Sequence, residues 1–214
     1  MTLAGKSLLN SDLRLAILLL AAGEGSRLGG FPKALLKKNG STLLHSFITC
    51  AQKMAPVELV IVTGFHAQAI EAEIETIKGE NLPIRILRNN DPQEGQASSV
   101  RLGLEALKSN YDVLLVALSD QPNIGLVEIQ MLLEQFHSRD MDEEIILSQV
   151  NGQRGNPVLF SKKAIEAILS LEGMVCRRYM DLHPHLVRVY ETDNAAYILD
   201  ADTEADIQKL GLSR

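Results

Sequence analysis

Residues 15–33 read LAILLLAAGEGSRLGGFPK. An unbroken apolar run opens the segment, and it gives way to four glycines in eight positions (Gly23, Gly25, Gly29 and Gly30) with two cations, Arg27 and Lys33. An apolar run of this length without alternation reads as a strand buried on both faces. Glycines directly after such a strand let backbone N–H groups approach an anion closely, and Arg27 and Lys33 add fixed positive charge. The segment therefore sets two expectations at once: a sheet covered on both sides, and an anion site just beyond its first strand.

Apolar runs and helical patterns alternate outward from this point. A helix is expected over 42–53, with Leu43, Leu44, Phe47, Ile48 and Ala51 on one stripe. A second strand covers Glu58–Thr63 and closes at Gly64. Ala67, Ile70, Ile74 and Ile77 step by helical intervals. A third strand follows at 84–87, then a helix opening near Ala97 and marked by Val100, Leu104 and Leu107. The most apolar strand is Val113–Leu118, followed by a helix through Leu126, Ile129, Leu133 and Phe136. This rhythm implies a parallel sheet with helices on both faces. Past about residue 145 the pattern becomes mixed. Strands at Ile145–Val150 and 157–160 flank a hairpin signal at Asn151-Gly152. A helix at Lys162–Ser170, strands at 187–190 and 197–199 and a helix at 204–210 complete the chain. The expectation is one α/β domain over 1–214, ordered over about 15–210, with a mostly parallel central sheet and a mixed C-terminal part.

Composition narrows the function. The chain has 214 residues, with 21 Lys plus Arg against 27 Asp plus Glu and a net charge of −6. No basic face for nucleic acid is expected from that balance. Aromatic residues are 4% and Trp is absent, which argues against a platform for single strands. Cys50 and Cys176 are 126 positions apart and have no metal-finger spacing; Cys50 falls on a helical stripe with Phe47 and Ala51 and reads as a buried small hydrophobe. Lys6 and Arg14 ahead of the apolar run give it the look of a secretory leader, with Ala21-Ala22-Gly23 as a cleavage site. The run is short, however, Asp12 sits in its flank, and a membrane span needs about 20 residues. A buried strand, a cytoplasmic location and no membrane partner are the expectations.

The glycine loop is not a P-loop, because no Gly-Lys-Ser/Thr opens a helix. It is not a dinucleotide fingerprint either. Pro32 would break the helix that fingerprint requires, and the second strand ends in Thr63-Gly64 with no acid. Two cations suit a triphosphate better than a diphosphate bridge. After the fourth long strand comes Ser119-Asp120-Gln121-Pro122, where a strand-end carboxylate is placed to hold Mg²⁺ and Pro122 fixes the turn. Asp200-Ala201-Asp202-Thr203 offers a second carboxylate, or else a cap for the last helix. The polar stretch 89–99 holds Asn90, Gly95 and Ser99, suited to a base and ribose. His183-Pro184-His185 reads as an exposed loop, and no Ser-His-Asp arrangement is present.

Together these pieces resemble a family. Leu20-Ala21-Ala22-Gly23, Ser26-Arg27 and Pro32-Lys33 are similar to the opening signature of the MobA-like nucleotidyltransferases that act on molybdenum cofactor. Ser119-Asp120-Gln121-Pro122 resembles their metal-binding turn, and Gly155-Asn156-Pro157 with Phe160 their later Gly-x-Pro segment. Leu199-Asp200-Ala201-Asp202-Thr203 resembles their closing motif, with Glu204 where Pro is usual. Leu-Ala-Ala-Gly and the stretch from Gly95 to Ser99 are most similar to the cytidylyltransferase branch. The resemblance implies a three-layer, Rossmann-like nucleotidyltransferase fold and transfer of CMP from CTP to molybdopterin, with release of pyrophosphate. A molybdenum hydroxylase is the implied recipient of the product. Arg27, Lys33 and Asp120 carry the implied catalysis, and Asp120 and Asp202 the implied Mg²⁺, with Asp200 the alternative second ligand. Leu20, Ala21, Ala22, Gly23, Arg27, Lys33, Thr63, Asn90, Gly95 and Ser99 are the implied nucleotide contacts. One departure bears on the acceptor: the branch often carries Gly-Asp-x-Gly late in the chain, whereas Gly173 here precedes Met174-Val175-Cys176. GTP, a sugar-phosphate acceptor and a non-catalytic cofactor carrier remain alternatives.

Overall fold

The computed structural model describes residues 13–77 and 82–214; Lys6 and Asp12, weighed above as leader flanks, lie outside the described residues. Strand β1 (Leu15–Ala21) is buried at every position. Alternate side chains of a strand leave opposite faces, so each of its faces needs its own cover. Leu15, Ile17, Leu19 and Ala21 enter one cluster with α1 (Leu43–Met54), α2 (Ala67–Ile77) and α4 (Leu126–His137). Ala16, Leu18 and Leu20 enter a second cluster with α3 (Gln96–Ala106), α5 (Lys162–Ser170) and α6 (Cys176–Leu182). The result is the expected three-layer α/β arrangement.

The remaining strands, in chain order, are the short ribbon β2 (Lys37–Lys38) and β3 (Ser41–Thr42), then β4 (Glu58–Thr63), β5 (Ile84–Arg88), β6 (Val113–Leu118), β7 (Ile145–Val150), β8 (Gln153–Ser161) and β9 (Val187–Glu191). The main sheet has the order β5-β4-β1-β6-β8-β7-β9. Only β8 runs against the others. Strand order turns back on either side of β1, because β4 and β5 lie to one side and β6 to the other. That places a crevice beyond the carboxyl ends of β1 and β6, where open α/β sheets take their ligands. At the opposite end, Arg14 and Asp112 clamp the starts of the same two strands. Asp112 accepts from the Arg14 backbone N–H at 2.8 Å and from its guanidinium at 3.0 and 2.7 Å. Those bonds hold the Asp112 carboxyl down at about 2.

Three features depart from the sequence expectation. The segment 197–199 is not a strand but part of a 3₁₀ turn, Ala195–Ile198. Asn194 caps the turn by accepting from the Ala196 N–H, and the buried Tyr197 donates its hydroxyl to the Glu128 carbonyl at 2.8 Å. Strand β8 starts at Gln153 rather than at 157, because Asn151 and Gly152 both take positive φ (50° and 80°) and close a two-residue hairpin. Helix α6 carried no flag: it is seven residues long, its N-cap Val175 makes no side-chain bond, and only Cys176, Tyr179 and Met180 face inward. Cys50 is buried as expected. No described helix is long and apolar enough to cross a membrane.

Helix α3 lies unusually close to β1, and Gly103 permits it. A Cβ at Gly103 would fall 2.4 Å from Leu18 Cδ1 and 3.1 Å from Val62 Cγ2. Gly103→Ala is therefore expected to destabilise by about 1–2 kcal/mol through overpacking, although alanine is the better helix former. Urea unfolding of the single and double variants checks this: adding Leu18→Ala is expected to cost less in the Gly103→Ala background than alone. A second expectation concerns the clamp. Because the Asp112 pKa is depressed from 3.8, its contribution is present above that value and lost as pH falls through about 2. Asp112→Asn is expected to lower the melting temperature by about 2 °C at neutral pH, with the difference vanishing near pH 2 in thermal melts.

Candidate functional site

The chain leaves β1 through Ala22-Gly23-Glu24-Gly25 and turns at once. Gly25 has φ 69°, and a Cβ there would lie 2.0 Å from the Phe31 carbonyl oxygen, so no other residue fits this turn. Its carbonyl accepts from the Leu28 and Gly30 N–H groups at 2.8 and 3.0 Å. Leu28 is the buried foot of the loop. It packs with Leu36, Leu43, Ala201, Ile207 and Leu212 in a third, small cluster that joins the loop to the C-terminal helix α7 (Glu204–Lys209). The backbone of Ser213 pairs with Lys37 in both directions, fixing that contact.

This packing brings four charged residues from distant parts of the chain together. The Lys33 ammonium donates to Asp120 at 3.1 Å and to Asp202, and Arg27 donates to Asp202 at 2.8 Å. Each partner is held by backbone. The Ser119 N–H donates to the Leu20 carbonyl at 3.1 Å and the Ala201 N–H to the Asp120 carbonyl at 2.9 Å. Capping of α7 falls to Thr203, paired with Asp206 in a capping box, which leaves the Asp202 carboxylate free to face Lys33. Burial alone would lower the Lys33 pKa, but the Asp120 and Asp202 carboxylates outweigh it and hold the ammonium above its ordinary value. Burial, reinforced by those same two carboxylates, pushes Asp200 up to about 6. Asp120 Oδ1 and Asp200 Oδ1 are buried with no hydrogen-bond partner. Such orphaned oxygens in an acidic group fit a hard cation, although no described set of three His, Cys, Asp or Glu already stands in ligating geometry.

A cleft of about 680 Å³ opens here, lined by Leu20, Ala21, Ala22, Gly23, Lys33, Gly95, Ser99, Asp120 and Asp202 among the residues singled out from sequence. Arg27 stands outside the lining and reaches in through Asp202. Two expected contacts are displaced. Thr63 is fully buried, with its hydroxyl donated to Glu71 at 2.8 Å and the Leu87 carbonyl at 3.3 Å, so it is not in the lining. Asn90 is exposed and also outside it; its neighbour Asn89 is the buried one, donating to Ser98 and Ser99 at 2.9 Å each and shaping the loop. Glu24, Phe65 and Asp200 line the cleft without having been singled out for the nucleotide. Phe65 was legible as the second residue past a strand's carboxyl end. His183, expected in an exposed loop, is half-buried and stacks on Tyr179 at 4.3 Å, and a 3₁₀ turn, Pro184–Leu186, follows it.

A second cavity, also about 680 Å³, shares Leu20, Gln96 and Leu118 with the first. Its floor is apolar (Val100, Val116, Val158, Phe160, Met180), and its rim carries Gln153, Arg154, Asn156 and Arg177. Gly155 lies on the same wall, where a Cβ would approach Ser148 Oγ to 2.5 Å and Tyr197 Cβ to 2.7 Å.

Comparison with known proteins agrees with this geometry. Nicotine blue oxidoreductase of Paenarthrobacter nicotinovorans is 31% identical over 200 residues, covering 90% of this chain and 94% of that one. Among solved structures, Rv0371c of Mycobacterium tuberculosis H37Rv superposes with a TM-score of 0.72 at 23% identity, over 92% of this chain and 97% of its own. A manganese complex of the same protein gives a TM-score of 0.66 at 19% identity, over 92% and 97%. A cytidylyltransferase from Leptospira borgpetersenii gives 0.66 at 18%, over 93% of this chain and 85% of that one. These structural likenesses share the fold. The family model for the MobA-like NTP transferase domain matches residues 17–189, and the chain belongs to that family.

Proposed function

We propose that this protein is a cytidylyltransferase that moves CMP from CTP to the terminal phosphate of a molybdopterin-type acceptor. The observation that carries the reading is the convergence of Lys33, Arg27, Asp120 and Asp202 at the carboxyl ends of β1 and β6. An acceptor phosphate oxygen attacks the α-phosphorus of CTP; the bond from that phosphorus to the β-phosphate bridging oxygen breaks, and pyrophosphate leaves with the bond's electrons. The nucleophile is already anionic near neutral pH, so no general base is needed. Catalysis then consists of positioning and charge neutralisation. Lys33 and Arg27 hold the triphosphate and stabilise the leaving pyrophosphate.

Asp120 and Asp202 would hold Mg²⁺, with Asp200 behind them. The orphaned Asp120 Oδ1 supports that assignment, as does the manganese complex of the related fold. When bound, the ion supplies charge neutralisation at the phosphates. The second cavity suits the acceptor. It adjoins the nucleotide cleft across Leu20, its floor takes a flat apolar body, and Arg154 and Arg177 lie at the rim for an anionic group. A molybdenum hydroxylase is the proposed recipient of the product. The relative named nicotine blue oxidoreductase, matched over nearly its full length, favours a second reading, an oxidoreductase. Pyrophosphate release with CTP, Mg²⁺ and molybdopterin, set beside oxidation of NADH or NADPH with a quinonoid dye, separates the two.

Two outcomes are expected. Lys33→Ala and Asp120→Asn each lower the rate of pyrophosphate release about 100-fold, the usual loss when one preorganised charge is removed. Melting temperature stays within a few degrees, because neither side chain belongs to an apolar cluster; wild-type turnover in both variants refutes the site. The second outcome concerns the base. The base assignment rests on the Leu20-Ala21-Ala22-Gly23 opening, whose four residues line the cleft. With CTP and GTP competing in one reaction, the cytosine dinucleotide is expected to predominate in the product masses. A guanine product overturns the base assignment and leaves the reaction class standing.

A further inference from the structure

The nucleotide cleft is chemically lopsided. Lys33, Asp120, Asp200 and Asp202 crowd one part of its lining, whereas Phe65 and Pro92 belong to the loops after β4 and β5 and Gln96 opens α3. A metal–triphosphate is drawn to the charged part, so the nucleoside extends toward these loops. Phe65 is the one aromatic residue among the described lining, and it is 43% exposed. It belongs to none of the three apolar clusters.

The residue is nevertheless fixed on both sides. Gly64 before it is wedged between the loops that follow β1 and β5: a Cβ there would lie 2.8 Å from the Ala22 carbonyl oxygen and 2.9 Å from Pro92 Cβ. His66 after it bonds the Glu24 carbonyl through Nε2 at 2.7 Å. The Gly64 carbonyl then accepts from the first N–H of α2, at 3.0 Å. An exposed ring held this firmly loses little freedom when a flat partner covers it.

We propose that Phe65 is the platform on which the nucleobase stacks, positioning the nucleoside so that the α-phosphate lies near Lys33. Stacking on an aromatic face tolerates any base, so it supplies affinity while the base edge is read elsewhere, at the Ala22 backbone and Gln96. This rests on the nucleotidyl-transfer reading and adds the residue that holds the base.

Binding at equilibrium tests it without turnover. Isothermal titration of CTP, GTP, ATP and UTP, each with Mg²⁺, is compared with magnesium tripolyphosphate, which lacks a base. In Phe65→Ala all four nucleotides are expected to weaken about tenfold or more, while tripolyphosphate binds as in wild type and the melting temperature holds. Since the chain has no Trp, Phe65→Trp installs a single indole at the platform. Its emission is expected to be quenched by the nucleotides and not by tripolyphosphate, with nucleotide affinity retained. Unchanged nucleotide affinity in Phe65→Ala overturns the platform, and so does an equal loss for tripolyphosphate, which marks collapse of the loop. A wild-type protein that binds neither ligand removes the nucleotide reading and the platform with it.

Discussion

Burial of β1 on both faces is the constraint from which the rest of the structure follows. A strand with no wet side must find partners for every backbone N–H and C=O, and in this chain β4 and β6 supply them on either edge. Two covered faces demand two sets of helices, and the sequence provides them, with α1, α2 and α4 on one face and α3, α5 and α6 on the other. Once β6 is placed on the far side of β1, the strand order turns back there and a crevice is forced open at the carboxyl ends. Gly103 shows how tightly the arrangement closes, since one methyl on α3 would strike Leu18. The Arg14–Asp112 clamp fixes the same two strands at their other end.

The crevice collects charge of both signs in a small, partly dry space. Lys33 is 23% exposed and faces two carboxylates, with backbone bonds at Ser119 and Ala201 beside them and the Asp202 N–H donated to the Asp206 carboxylate. Such preorganisation favours phosphoryl chemistry, because charged partners already stand where charge will develop. It also raises the affinity of the acidic group for protons or cations, which the elevated Asp200 registers. The C-terminal helix α7 has no part in the main sheet, yet without it Asp202 would have no fixed place. The small cluster around Leu28 and Ile207 connects it to the glycine loop.

Much of the fold was legible because long apolar runs and helical stripes repeat a simple signal. β1, β4, β6, β7 and α5 begin and end where their periodicity does. The misses share a cause. Residues 197–199 look like a strand by composition, but a ring buried under α4 and an Asn194 cap impose a turn. Helix α6 is too short to generate a stripe that stands out. In the cleft, Thr63 and Asn90 were reasonable by position, but a strand alternates and a loop turns, so one hydroxyl went inward to Glu71 and one amide outward to solvent.

The sequence by itself determined the layered α/β class, the glycine loop after the first strand, and the residue types that a phosphate and a cation require. Those are local properties: periodicity, backbone freedom at glycine, and charge beside strand ends. The family resemblance implied that Lys33, Asp120 and Asp202 act together, but only the tertiary structure brings these three distant segments into contact and decides that Phe65 lies on the cleft wall while Thr63 does not. Convergence of that kind depends on which strands pair and how closely loops approach. Packing of the whole domain fixes both, and no stretch of sequence encodes either alone.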